Sequence, residues 1–112
     1  MKILIAINEN NGLHSKLSEH FGHCPYFAIY DSEEKNLEII ENKIEHTNQN
    51  LTPVDQIMKF NPDVVFTLGI GQRAIKLFNE QKVELKTGDY KILKEVIENL
   101  ENLKELTSGC EH

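Results

Sequence analysis

The stretch Asp63-Val64-Val65-Phe66-Thr67-Leu68-Gly69-Ile70-Gly71-Gln72-Arg73-Ala74 decides the fold. Its first half is a short apolar run of the kind that fills a strand buried on both faces, and its continuation places Ala74, Ile75 and Phe78 on one side of a helix. Gly69-Ile70-Gly71 joins the two as a strand-to-helix turn. Upstream, Thr52 is a good N-cap, Pro53 fits the first helical position and Asp55 lies where the helix dipole favours negative charge, so a helix is expected that ends near Phe60 at the Asn61-Pro62 stop. Downstream, Val83 to Lys86 reads as a short edge strand. Asp89 then caps a last helix in which Ile92, Leu93, Val96, Ile97, Leu100 and Leu103 keep a helical period until Gly109.

The amino-terminal half has a different rhythm. Lys2 to Ile7 is continuously apolar after the lysine, as expected for the middle strand of a sheet. Asn8 to Leu13 is a polar loop, and Ser15 to Glu19 is expected to form a helical turn. Tyr26 to Asp31 and Leu37 to Asn42 read as two strands joined by a turn over Ser32 to Asn36, which makes a hairpin. Hairpin plus alternating helices and strands gives an α/β fold: a mixed five-stranded sheet with helices on its faces.

The 112 residues suit one domain, expected over residues 1–107, with a short flexible tail at 108–112. Twelve Lys and Arg against 18 Asp and Glu leave a net charge of −6, which disfavours nucleic acid and anionic membrane surfaces as partners. No apolar run approaches a membrane span, and the opening Met1-Lys2-Ile3-Leu4-Ile5-Ala6-Ile7 is too short for a signal-peptide core, so a cytoplasmic protein is expected. Its two cysteines, Cys24 and Cys110, form no secreted disulfide framework and would remain thiols in a reducing compartment.

Ser18-Glu19-His20-Phe21-Gly22-His23-Cys24-Pro25-Tyr26-Phe27 carries the chemistry. Two imidazoles and a thiol around a glycine, just before a strand, suit zinc, copper, iron or a metal-sulfur cluster far better than magnesium or calcium. Beside this stands the plainer reading, in which the histidines are polar edge residues and Cys24 is a small buried hydrophobe. A closed zinc site wants four ligands and His20, His23 and Cys24 supply at most three. Cys110 and His112 at the chain's end are the candidates to complete it, against the commoner fate of a frayed terminus.

The Gly69-Ile70-Gly71 loop lacks the third glycine of a dinucleotide fingerprint and the Gly-Lys-Ser/Thr of a phosphate loop. It lies at the carboxyl end of a central strand, the usual edge for a ligand crevice, so the backbone at Gly69 and Gly71 with Arg73 is a candidate binding wall for an anionic ligand. No hydrolytic constellation emerges. Cys24 beside His23 makes a poor dyad, because neighbours on a strand point to opposite faces.

Taken together, the Met1-Lys2-Ile3 strand, the His20-Phe21-Gly22 motif in its context, and Asp63-Val64-Val65 leading into Gly69-Ile70-Gly71-Gln72-Arg73-Ala74 closely resemble the dinitrogenase iron-molybdenum cofactor biosynthesis family, in the same order and over nearly the whole chain. The resemblance implies a ribonuclease H-like fold without nuclease carboxylates, in which the Tyr26 strand runs antiparallel to the first. It also implies non-catalytic binding or carriage of an iron-sulfur or molybdenum-containing metal-sulfur cluster, in exchange with a cluster donor or acceptor protein, and makes His20 the first candidate ligand. Gln81-Lys82 stands where the family usually has a glycine. Two rival functions remain open from sequence: a thiol-based enzyme or redox sensor using Cys24, and an adaptor whose acidic face carries Glu95, Glu98, Glu101 and Glu105.

Overall fold

The computed structural model describes residues 1–47 and 49–106. The domain end expected at residue 107 and the tail at 108–112 lie outside the described residues. Strand β1 (Lys2–Ile7) is the centre of the sheet. On one side it pairs antiparallel with β2 (Tyr26–Asp31), which pairs in turn with β3 (Asn36–Glu41) as the expected hairpin. On its other side β1 pairs in parallel with β4 (Val64–Phe66), which is followed by β5 (Glu84–Thr87).

Among the described residues the sheet has six strands, not the five expected, in the order β3-β2-β1-β4-β5-β6. The extra strand, β6 (Lys104–Glu105), is antiparallel to β5 through Lys86 and Thr87, so β5 is an interior strand and not the edge. It comes from the segment whose apolar spacing suggested the end of a long helix. That helix, α3, spans only Leu93–Glu98 and is followed by a 3-10 turn at Leu100–Asn102.

Both ends of α3 have a physical cause. Lys16 and Ile92 form a β-bridge, Leu17 N–H donates to Lys91 O at 3.0 Å, and Leu93 N–H donates to Ser15 O at 2.9 Å. These contacts hold residues 91 and 92 extended, so the helix starts after Ile92 and Asp89 is not its cap. The Glu95 carboxylate instead accepts from Lys91 and Ile92 N–H, at 3.0 and 3.2 Å. At the far end the Asn99 amide donates to Glu95 O at 2.8 Å, supplying a partner to a carbonyl that the helix leaves unpaired. Leu100, in the 3-10 turn, and Leu103, after it, pack against the core outside the α-helix, and burial was all that their spacing encoded.

The same bridge displaces the helical turn expected at Ser15 to Glu19. The turn is a 3-10 turn at Gly12–His14, closed by Ser15 Oγ donating to Gly12 O at 2.8 Å, while Lys16 and Leu17 run extended.

Alternation along the strands divides the interior into two layers. Leu4, Ala6, Phe27, Val65 and Leu85 face helices α1 (Pro53–Met58) and α2 (Gln72–Glu80), which contribute Val54, Ile57, Ile75 and Phe78. Ile3, Ile5, Ile7, Val64 and Phe66 face the opposite way, against Leu93 and Val96 of α3. Every residue of β1 from Ile3 to Ile7 is fully buried, which explains its unbroken apolar sequence. Helix α1 has the expected start: Thr52 Oγ1 accepts from Asp55 N–H at 3.1 Å and the Asp55 carboxylate accepts from Thr52 N–H at 3.0 Å. Among the described residues no helix is long and apolar enough to cross a membrane.

Helix α2 ends on a left-handed Lys82, at φ 61. Val83 N–H donates to Phe78 O at 3.0 Å and Lys82 N–H to Asn79 O at 3.1 Å, the paired bonds that close a helix through a left-handed residue.

Candidate functional site

The His20-Phe21-Gly22 turn forms where the chain leaves the carboxyl end of β1 and returns to start β2. Ser18 N–H donates to Ala6 O at 2.9 Å, and the Ser18 hydroxyl accepts from His20 N–H at 3.1 Å, so the approach to the turn is fastened to β1. The Phe21 ring drops into the core beside Phe27 and Phe78, at 5.5 and 5.6 Å between ring centres. Gly22 takes φ 92, a left-handed conformation that glycine reaches without the strain a side chain would bring. Its carbonyl accepts from the Asn42 amide and faces His46 Nε2, each at 2.9 Å.

A single main-chain bond unites the two sequence motifs. Phe21 N–H donates to Gly69 O at 3.1 Å, which sets the histidine turn against the loop between β4 and α2. Between them lies a crevice of about 640 Å³ whose wall includes His20, His23, His46, Gly69, Gly71 and Arg73. Because β1 and β4 are parallel, the crevice lies at the carboxyl ends of both. Helix α2 begins at its rim with Gly71 as N-cap and no acidic residue in its own first turn, so the helix itself carries no side-chain carboxylate at the positive end of its dipole.

Five of the residues singled out from sequence therefore share one wall: His20, His23, Gly69, Gly71 and Arg73. Cys24 does not join them. It is 3% exposed and packs in the layer with Phe27, Ile57 and Phe78. Burial pushes its thiol pKa from the ordinary 9.0 up to about 11, with partial relief from hydrogen bonding to the Gly22 backbone and to Asn42. His23, one residue earlier, is exposed, so of the two donors adjacent in sequence one is buried in the core and the other faces solvent. Cys110 and His112 lie outside the described residues. Among the described residues no three His, Cys, Asp or Glu side chains gather in a group able to hold a metal ion.

His46 is the residue that sequence reasoning missed. Its ring stacks on His23 with centres 4.4 Å apart and planes only 6° from parallel. It lies in a polar stretch after the hairpin with no motif around it, and its residue type was the sole signal. What places it is Gly22, distant in sequence.

As chemistry, the crevice offers imidazoles, the Arg73 guanidinium and one carboxylate, that of Glu19. Imidazole nitrogen bonds zinc, copper, iron and nickel, and Arg73 favours an anion, so the donor set suits an anionic complex of such a metal. The Cys24 thiol is buried and its pKa stands above the ordinary value, so in the metal-free protein it is not an activated thiolate.

No curated protein matches the chain. Solved structures do. PH0822, known from its crystal structure, is 32% identical with a TM-score of 0.76, covering 95% of this chain and 96% of its own. A Thermotoga protein solved by NMR is 23% identical with a TM-score of 0.81, over 99% of this chain and 98% of its own. The apo form of the orange protein from Desulfovibrio gigas, at 13% identity, shares the fold with a TM-score of 0.82 over 98% of this chain and 96% of its own. The family model described as dinitrogenase iron-molybdenum cofactor matches residues 1–103, and the chain belongs to that family.

Proposed function

We propose that this protein is a non-catalytic carrier that holds a preformed, anionic metal-sulfur cluster, iron-sulfur or molybdenum-containing, in the crevice between the His20 turn and the Gly69–Gly71 loop, and passes it between a donor and an acceptor protein. The observation that carries the reading is the meeting of His20, His23 and Arg73 on one wall in a member of a family tied by its description to the iron-molybdenum cofactor. A cluster brings its own bridging sulfides, so a few imidazole bonds and a positive charge are enough to hold it while leaving it transferable. The parallel half of the sheet flanked by an antiparallel hairpin also supports a ribonuclease H-like reading of the fold.

His20, on the exposed turn, is the leading ligand. Arg73 supplies the charge complement to the anionic cargo, and the crevice walls shield one side of it from water. Anaerobic incubation with iron and sulfide, and separately with a thiomolybdate, followed by desalting and analysis of metal and sulfide, tests the proposal. Retention of metal and sulfide together supports it, and loss of both overturns it. The enzyme or sensor reading based on Cys24 is less favoured, because its thiol is buried and its pKa is displaced away from neutrality.

A further inference from the structure

We propose that His46 is a metal-ligating residue of this crevice, bonding through Nδ1, and that His23 and His46 act as a pair in which each ring takes its own metal atom. The inference deepens the carrier reading and rests on it for the nature of the cargo: a polynuclear metal-sulfur cluster and not a single ion.

The first step is the tautomer. Gly22 O lies 2.9 Å from His46 Nε2, and a carbonyl oxygen only accepts, so Nε2 carries the hydrogen. In the neutral ring the lone pair is then on Nδ1. Metal-ligating histidines have this arrangement: the far ring nitrogen donates to a carbonyl or carboxylate, which fixes the tautomer, holds the ring plane and makes the ligating nitrogen more basic. The supporting carbonyl is itself well held. The left-handed Gly22 sets its direction, and the Asn42 amide donates to the same oxygen at 2.9 Å and to Cys24 O at 2.7 Å.

The second step is the stack. Imidazole lone pairs lie in the ring plane, and the His23 and His46 planes are 6° from parallel with centres 4.4 Å apart. Two nearly parallel planes do not meet at one atom about 2.0–2.1 Å from both nitrogens, so the pair cannot chelate a single ion as it stands. It can bond two metal atoms, one in the plane of each ring. With no group of three converging donors among the described residues, the remaining coordination positions of each metal would be filled by the cluster's own sulfides.

The test uses zinc ion alone as a diamagnetic probe on protein labelled with nitrogen-15 in histidine, reading each ring nitrogen by NMR. Zinc is expected to shift His46 Nδ1 while Nε2 stays protonated. His46→Ala should remove that response and weaken zinc binding at the crevice by about tenfold or more, and His23→Ala should leave the His46 response in place. An Nδ1 that zinc does not move, or unchanged crevice binding in His46→Ala, overturns the ligand assignment. Loss of the His46 response in His23→Ala overturns the separate-atom geometry, since that is the behaviour of one shared ion. Anaerobic cluster loading of the same proteins separates the two claims. Failure to retain a cluster with His46 still responding to zinc contradicts the cargo reading alone, whereas a retained cluster with a silent His46 contradicts this inference alone.

Discussion

Phe21 N–H donates to Gly69 O across 3.1 Å, and through that bond the two motifs that carry the family likeness become one site. The bond joins the turn after β1 to the turn after β4, both at the carboxyl ends of adjacent parallel strands. With the Phe21 ring packed against Phe27 and Phe78, the turn is anchored from below while His20 and His23 stay exposed. The scaffold and the proposed ligands are thus separable, and the predictions exploit that separation.

His20→Ala should leave the fold intact, with a change in unfolding free energy within about 0.5 kcal/mol, the range of ordinary surface substitutions. Release of a loaded cluster to a chelator should accelerate. Calorimetry and chelator kinetics on the same sample decide the matter. A large loss of stability with unchanged release would make His20 a structural residue.

Arg73 is exposed on the first turn of α2, and its proposed part is electrostatic. Arg73→Gln should slow loading of an anionic thiomolybdate and flatten the dependence of that rate on salt, with Arg73→Lys recovering much of the effect. Stopped-flow loading at two ionic strengths measures it. An unchanged salt dependence would remove Arg73 from the site.

Cys24 gives a prediction of opposite sense to that for an activated thiol. Its pKa of about 11 exceeds the ordinary 9.0, so the folded chain keeps a proton that the unfolded chain loses first. The resulting stabilisation is complete below pH 9 and declines as pH rises towards 11, at up to about 1.4 kcal/mol per pH unit. Urea unfolding of the protein and of Cys24→Ala from pH 8 to 10.5 should show the wild-type advantage shrinking with pH, and alkylation of the native thiol should be slower than that of a free thiol. An alkylation rate above that of a free thiol would contradict this account and revive the reactive-cysteine reading.

Two backbone substitutions should act in opposite directions. Gly22→Ala places a side chain at φ 92 and should cost about 1–2 kcal/mol. Lys82→Gly relieves a left-handed lysine at the end of α2, at some cost in chain entropy, and should be neutral or stabilising by up to about 1 kcal/mol. Thermal unfolding of both variants checks the pair. A stabilising Gly22→Ala would mean that the turn does not need its left-handed conformation.

Much of this fold was legible because the relevant signals are local. The unbroken apolar run of β1 and the Thr52-Pro53-Asp55 start of α1 depend only on neighbours in sequence, and the structure reproduces both. The end of the chain was misread because the apolar spacing of Leu93 to Leu103 reports burial and not conformation. The bridge from Lys16 to Ile92 shortens the helix from outside it, and no local pattern announces such a contact. The site divides in the same way. His20, His23 and Arg73 are found through their motifs. His46 enters through long-range contacts with Gly22 and His23, and Cys24 is a candidate donor by residue type and neighbourhood, neither of which reveals that it is buried in the core.

Anomalous diffraction from crystals of the anaerobically loaded protein tests the central claim most directly, since it locates metal atoms without assuming their ligands. The account predicts paired or clustered metal peaks in the crevice between the Gly22 turn and Arg73, within bonding distance of imidazole nitrogen. Metal peaks confined to another part of the molecule, with that crevice empty in a loaded crystal, would contradict it.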